Sequence, residues 1–306
     1  MNKLSFIFLC AFLIIVTVFA GLQSVDISYQ LIGSLLFIVL LGIPHGAIDH
    51  IIFLEDNRTA KPIHFYGFYF GLMGLYVLSW AIFPMLSLML FLIVSAYHFG
   101  QSQFSDLTVH KSFRNHILYF VWGCSILSGL ILYNIEDILS LSSLSADMLY
   151  LSPVFDELVF SFLLPLSSIV TVFLLIVTFK KNRISGERFL FEIYLFVLIH
   201  ICFYILPLIV GFTLYFVILH SFKVLSEEFT YLKSRRDNFS IRSFLKLLFP
   251  ITLISVFGGG IIMLSAQYQL IGISNGLLVF VLISVLTLPH SIVMDDFYQK
   301  FMKKAS

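Results

Sequence analysis

The sequence predicts an all-α integral membrane protein of about ten transmembrane helices, with both termini cytoplasmic. Three observations carry that prediction. The chain of 306 residues is 59% hydrophobic and 11% charged, with a mean hydropathy of +1.01, and a soluble domain has no way to hide that much apolar surface. Its apolar residues fall into ten runs, each close to the roughly 20 residues a helix needs to cross the hydrocarbon. Cations gather at alternate ends of those runs, as cytoplasmic loops require.

In chain order, the first run, 4–22, follows Lys3; its VFAG ending also suits a signal peptide, although the run is long for one. The second, 31–53, holds GIPHGAIDH between apolar flanks. The third, 64–83, opens on HFYGFYF, and the fourth, 85–104, ends in SAYHFGQSQF. The fifth, 116–133, and the sixth, 159–179, bracket a long acidic connection. The seventh, 189–206, carries one isolated histidine, His200. The eighth, 208–225, contains YFVILHSF. The ninth, 244–264, includes Gly258-Gly259-Gly260, which reads as a point of close helix packing. The tenth, 274–297, carries LPHSIVMDD. No internal repeat or low-complexity linker separates the runs, so residues 1–306 read as a single polytopic domain.

With the N-terminus placed inside, the inner loops collect Arg58, Lys61, Lys111, Arg114, Lys180, Lys181, Arg183, Arg188, Lys233, Arg235, Arg236, Arg242 and Lys246. The outer loops contain no Lys or Arg, and the longest of them holds Glu136, Asp137, Asp147, Asp156 and Glu157. Lys223 stands apart, near the inner end of the eighth span. An even number of spans follows, with both ends cytoplasmic. The net charge of +1 excludes a nucleic-acid partner, which needs a basic face. Cys10, Cys124 and Cys202 lie singly inside apolar runs and read as packing residues.

Ionisable residues inside a membrane are costly and by default point to function. His64, His110 and His116 lie at loop edges, and His200 reads as a packing histidine. The remaining five are His45 and His50 in GIPHGAIDH, His98 in SAYHFG, His220 in YFVILHSF and His290 in LPHS. All sit in even-numbered spans, in the C-terminal part of each, and therefore at one depth near the inner side. Four helices presenting imidazole at one level is how a bundle builds a metal site; unrelated packing histidines and a proton pathway are the alternatives. With no thiolate nearby, Fe(II) and Zn(II) lead. Pro44 and Pro289 precede two of the histidines and predict kinks that re-aim the following side chain. Asp49 is placed to accept the second N–H of a ligating histidine and fix its tautomer. Asp295 and Asp296 are further candidates for that role, and plain helix-end polarity is the alternative for all three. No HExxH, CxxCH or glycine-rich phosphate loop is present, and HxxxxH stands without the further histidine boxes of a membrane desaturase.

PHGAIDH (44–50), YHFG (97–100), HS (220–221) and LPHSIVMD (288–295) together resemble the Brp/Blh family of bacterial and archaeal membrane β-carotene 15,15'-dioxygenases, in order and spacing across nearly the whole chain. The resemblance implies oxidative cleavage of β-carotene at its central 15,15' double bond by O₂, giving two molecules of all-trans retinal, with a non-haem Fe(II) cofactor in the inner (plasma) membrane. It carries over His45, His98 and His220 as iron ligands. Two positions depart from the family pattern: Val224 stands where a second histidine follows the HS histidine, and Gln103 stands where an aspartate follows HFG. The fourth position then falls to His290, or else to His50, or is left as a water site, while Glu227 and Glu228 are expected in the aqueous boundary. The rival readings are a diverged paralogue acting on another apolar polyene and a non-enzymatic transporter or binding protein; inverted repeats would favour a transporter, and none is legible.

The aromatic residues, 17% of the chain, suit a rigid polyene dissolved in the bilayer, but they equally suit lipid-facing and interfacial positions. FYGFYF (65–70) falls near the depth of the histidines.

Overall fold

A computed structural model of the chain describes residues 3–21, 25–56, 61–109 and 112–305. Among these the chain is helical and has no strand, and ten of its helices are long and apolar enough to cross a membrane. Arg58, His110 and Lys111 lie outside the described residues.

The first span is α1 (Lys3–Gly21). The second is broken. It begins as α2 (Ile27–Phe37), widens into a π turn (Ile38–Gly42), tightens into a 3₁₀ turn (Ile43–Gly46) and ends as α3 (Asp49–Asp56). Pro44 explains the break: it has no N–H to offer Leu40, and its ring crowds the preceding turn. The Ile43 N–H reaches back five residues, to the Ile38 carbonyl. Next come α4 (Pro62–Ile82) and α5 (Pro84–Gln103), each opening on a proline at its first position, where the absent N–H costs nothing. The fifth span is α6 (Phe113–Tyr133).

The acidic connection after α6 is structured. It forms α7 (Ile135–Ser142), α8 (Ala146–Leu151) and a 3₁₀ turn, whose apolar sides pack with Trp80, Leu88 and Val285 at one end of the bundle. The chain continues through α9 (Glu157–Lys180) and α10 (Gly186–Ile205) to α11 (Leu208–Leu214). A second π turn, Tyr215–Ser221, joins α11 to α12 (Phe222–Arg235). This eighth span runs ten residues past the predicted edge, because the polar sequence beyond 225 continues as helix. The last two spans are α13 (Ile241–Gln267) and α14 (Asn275–Ala305), which continues through Pro289.

Helices α5 and α6 cross at backbone contact. A Cβ placed on Gly100 would lie 1.9 Å from the Tyr119 carbonyl oxygen, and one on Gly123 would lie 1.8 Å from that of Ala96. Close approach of backbones through small residues is a main source of helix association in lipid. This crossing fixes His98, two residues from Gly100, relative to the buried rings of Tyr119 and Trp122. The expectation for Gly258-Gly259-Gly260 is not met within the chain. Helix α13 is the least buried span, and nothing lies within 4 Å of a Cβ on any of the three.

Candidate metal centre

Four of the five singled-out histidines meet. His45 comes from the 3₁₀ turn of the second span, His98 from α5, His220 from the second π turn and His290 from α14. Their imidazoles form a closed ring: His45–His220 centroids are 5.3 Å apart, His220–His98 4.9 Å, His98–His290 5.0 Å and His290–His45 4.8 Å. One ligand atom from each of His45, His98 and His220 lies within 4.8 Å of the other two.

Each histidine is held differently. The His45 Nδ1–H donates to the Gly42 carbonyl, which leaves Nε2 as its acceptor atom. The break around Pro44 therefore also sets a tautomer. His290 Nδ1 donates to Asp49, 2.9 and 3.0 Å from its two oxygens, so its Nε2 is the free nitrogen. Asp49 is buried and also accepts a 2.9 Å bond from the Tyr69 hydroxyl. A carboxylate behind a histidine is the arrangement that orients metal ligands.

The donor set fits a metal ion. His98, His220 and His290 are buried, and His98 Nδ1 and Nε2, His220 Nδ1 and Nε2 and His290 Nε2 have no hydrogen-bond partner among the described residues. Unpaired buried groups cost about 1–3 kcal/mol each, and a shared cation accounts for one nitrogen on each of the three rings. Imidazoles binding one ion at about 2.1 Å bring neighbouring ring centres to about 5 Å, which is the spacing of this ring. All-nitrogen donors suit Fe, Zn or Cu.

The other sequence candidates go elsewhere. His50 points away from the ring; it lies 6.1 Å from Tyr66 and lines a surface cleft of about 270 Å³ with Glu55 and Arg236. Asp295 is bound by Gln101 (2.5 Å) and Gln299 (2.7 Å), and Asp296 pairs with Lys300, so neither touches His290. His200 is a packing histidine, 3.2 Å from the Ser125 hydroxyl, and it sits over Gly129 because no side chain intervenes there. Val224 is buried beside Ala47, Ile48 and Met294 in an apolar cluster. Gln103 donates to Glu192 at 2.8 and 3.1 Å and takes no part in the ring.

Glu228 corrects an expectation. It is fully buried rather than in the aqueous boundary, because α12 keeps packing on α14 and α3 past the apolar run. Tyr69 was not singled out individually. Its only sequence signal was membership of FYGFYF, and aromatic runs are common wherever helices meet lipid.

A family model described as "Beta-carotene 15,15'-dioxygenase" matches residues 36–298, a stretch containing all four ring histidines. A protein of that name from Uncultured marine bacterium 66A03 is 27% identical over 273 residues, covering 87% of this chain and 93% of its own. No solved structure matches.

Proposed function

From its membership of the beta-carotene 15,15'-dioxygenase family, to which the chain belongs, we propose that it cleaves β-carotene at the central 15,15' double bond with O₂, giving two molecules of all-trans retinal. The observation that carries the proposal is the closed ring of His45, His98, His220 and His290 with its five partnerless nitrogens. These four residues would hold Fe(II), which when bound supplies the affinity for O₂ that no side chain has.

His290, steadied by Asp49, would take the place left by Val224. Gly42 and Asp49 fix two tautomers, so two donor atoms are aimed before any ion arrives. Phe99, in edge-to-face contact with His220 at 4.8 Å, and Phe216, 5.6 Å from both His45 and His220, give the ring an apolar wall that excludes water and lies along a flat conjugated chain. The reaction breaks one C=C and one O=O bond and forms two C=O bonds, so it balances without protons or added electrons. No acid–base pair is needed.

By the one-sided placement of Lys and Arg, both termini face the cytoplasm of a bacterial plasma membrane, and the ring lies in the inner half. The test is expression in bacteria that accumulate β-carotene, with retinal measured by chromatography. Retinal from the parent and none from His98→Ala supports the proposal; intact pigment beside folded, iron-loaded parent protein sinks it.

A further inference from the structure

The histidine ring is sealed unevenly. His98, His220 and His290 are buried, whereas His45 is partly exposed. Over His45 and His220 lies Phe216, itself half-buried. Its ring is nearly parallel to that of His220, at 20°, and to that of Phe212 at 12° and 5.3 Å. Phe212 is half-buried in turn, so a continuous row of flat rings leads from the ligands outward.

Across from this row stands the other broken span. A Cβ on Gly42 would lie 2.9 Å from the Phe216 ring edge and 3.2 Å from Ile38. The contact therefore joins the two π turns, Ile38–Gly42 and Tyr215–Ser221, each immediately before or around a ring histidine. Leu36 and Phe37, just before the first π turn, and Leu40 within it are each more than half exposed and face hydrocarbon in a membrane. π turns carry an extra residue and occur frequently at functional sites. Here two of them meet at one level and form a seam.

We propose that this seam is the lateral gate for the substrate, with Phe216 as its moving leaf and Gly42 as the space the leaf occupies. This rests on the carotenoid reading above. A polyene dissolved in the bilayer would enter between the second and eighth spans, its conjugated plane sliding along Phe212 and Phe216. Phe216 is then a specificity-determining residue, because the bulky cyclic ends of β-carotene must pass it before the central bond reaches the ring.

The test compares β-carotene with an acyclic carotenoid of equal conjugated length, for the parent, Gly42→Ala, Phe216→Ala and Phe216→Leu in lipid vesicles. Two quantities are read: pigment retained per folded chain, and the ratio of kcat/KM for acyclic over cyclic substrate. Gly42→Ala pushes a methyl into the leaf and raises that ratio about tenfold, the scale of one methylene in an apolar site. Phe216→Ala lowers it, and Phe216→Leu falls between. If Gly42→Ala does not fold, the two Phe216 variants decide alone. Unchanged ratios and retention in folded variants overturn the gate while leaving the function standing. A folded parent that neither retains nor cleaves either pigment overturns both.

Discussion

Asp49 organises more than its place in the sequence suggests. Asp49 accepts from His290 and from Tyr69, and the ring contacts of His290 then depend on both. Asp49→Ala is expected to weaken metal binding about 10–100-fold, the usual effect of losing such a partner, while Tyr69→Phe, which removes one hydrogen bond worth about 1 kcal/mol, weakens it only severalfold. Chelator competition on the purified protein checks both. Metal held as tightly by Asp49→Ala as by the parent would show that Asp49 does not position a ligand. The histidines themselves were legible because imidazole in an apolar helix is expensive, and their common depth could be counted from residue positions. Tyr69 was hidden because a hydroxyl inside an aromatic run has no distinguishing pattern until the fold puts a carboxylate beside it. His50 shows the converse: it shares a depth with the ring histidines and is the other candidate for the fourth ligand, but the 3₁₀ turn around Pro44 sends its ring and that of His45 to different sides.

At the scale of elements, the ten spans were legible from hydropathy alone, within a few residues except at the polar ends of the eighth and tenth. The π turns were not. Pro44 marks one in retrospect, whereas Tyr215–Ser221 contains no proline or glycine to mark it. The α5–α6 crossing is the element most sensitive to a single methyl. Gly100→Ala must displace a helix whose carbonyl would lie 1.9 Å from the new carbon, a larger conflict than overpackings that cost about 1–3 kcal/mol. It should abolish monodisperse protein on size exclusion, whereas Gly258→Ala, with open space around it, should behave as parent.

The outer elements have their own tie. Asp147 accepts from the Ser274 N–H at 2.7 Å, joining α8 to the start of α14. Burial pushes its pKa up, but the Ser274 amide, the Ser145 and Ser274 hydroxyls and the Met148 amide outweigh that and hold it below the usual carboxylate value. A depressed folded-state pKa stabilises above the unfolded value and loses that contribution as pH falls through the folded one. Thermal unfolding in detergent should find Asp147→Asn less stable than parent at pH 7, with the two converging under acid. A constant gap across pH would contradict the tie.

For the whole molecule, ten crossings would put both ends on one side, and the one-sided distribution of Lys and Arg is the basis on which we propose the cytoplasm as that side. Asn2→Cys and Ser306→Cys should resist an impermeant thiol reagent in intact cells, while Leu144→Cys, on the exposed connection between α7 and α8, should react. Labelling at either end would reverse the bundle and move the histidine ring to the outer half.

The central claim is that four helices meet to hold one iron. Its most direct test is metal analysis of purified protein for the parent and for His45→Ala, His98→Ala, His220→Ala and His290→Ala. The account predicts about one iron per parent chain, loss in His98→Ala and His220→Ala, and weakened retention in the other two. A parent that binds no metal, or one whose metal is untouched by all four substitutions, would contradict it.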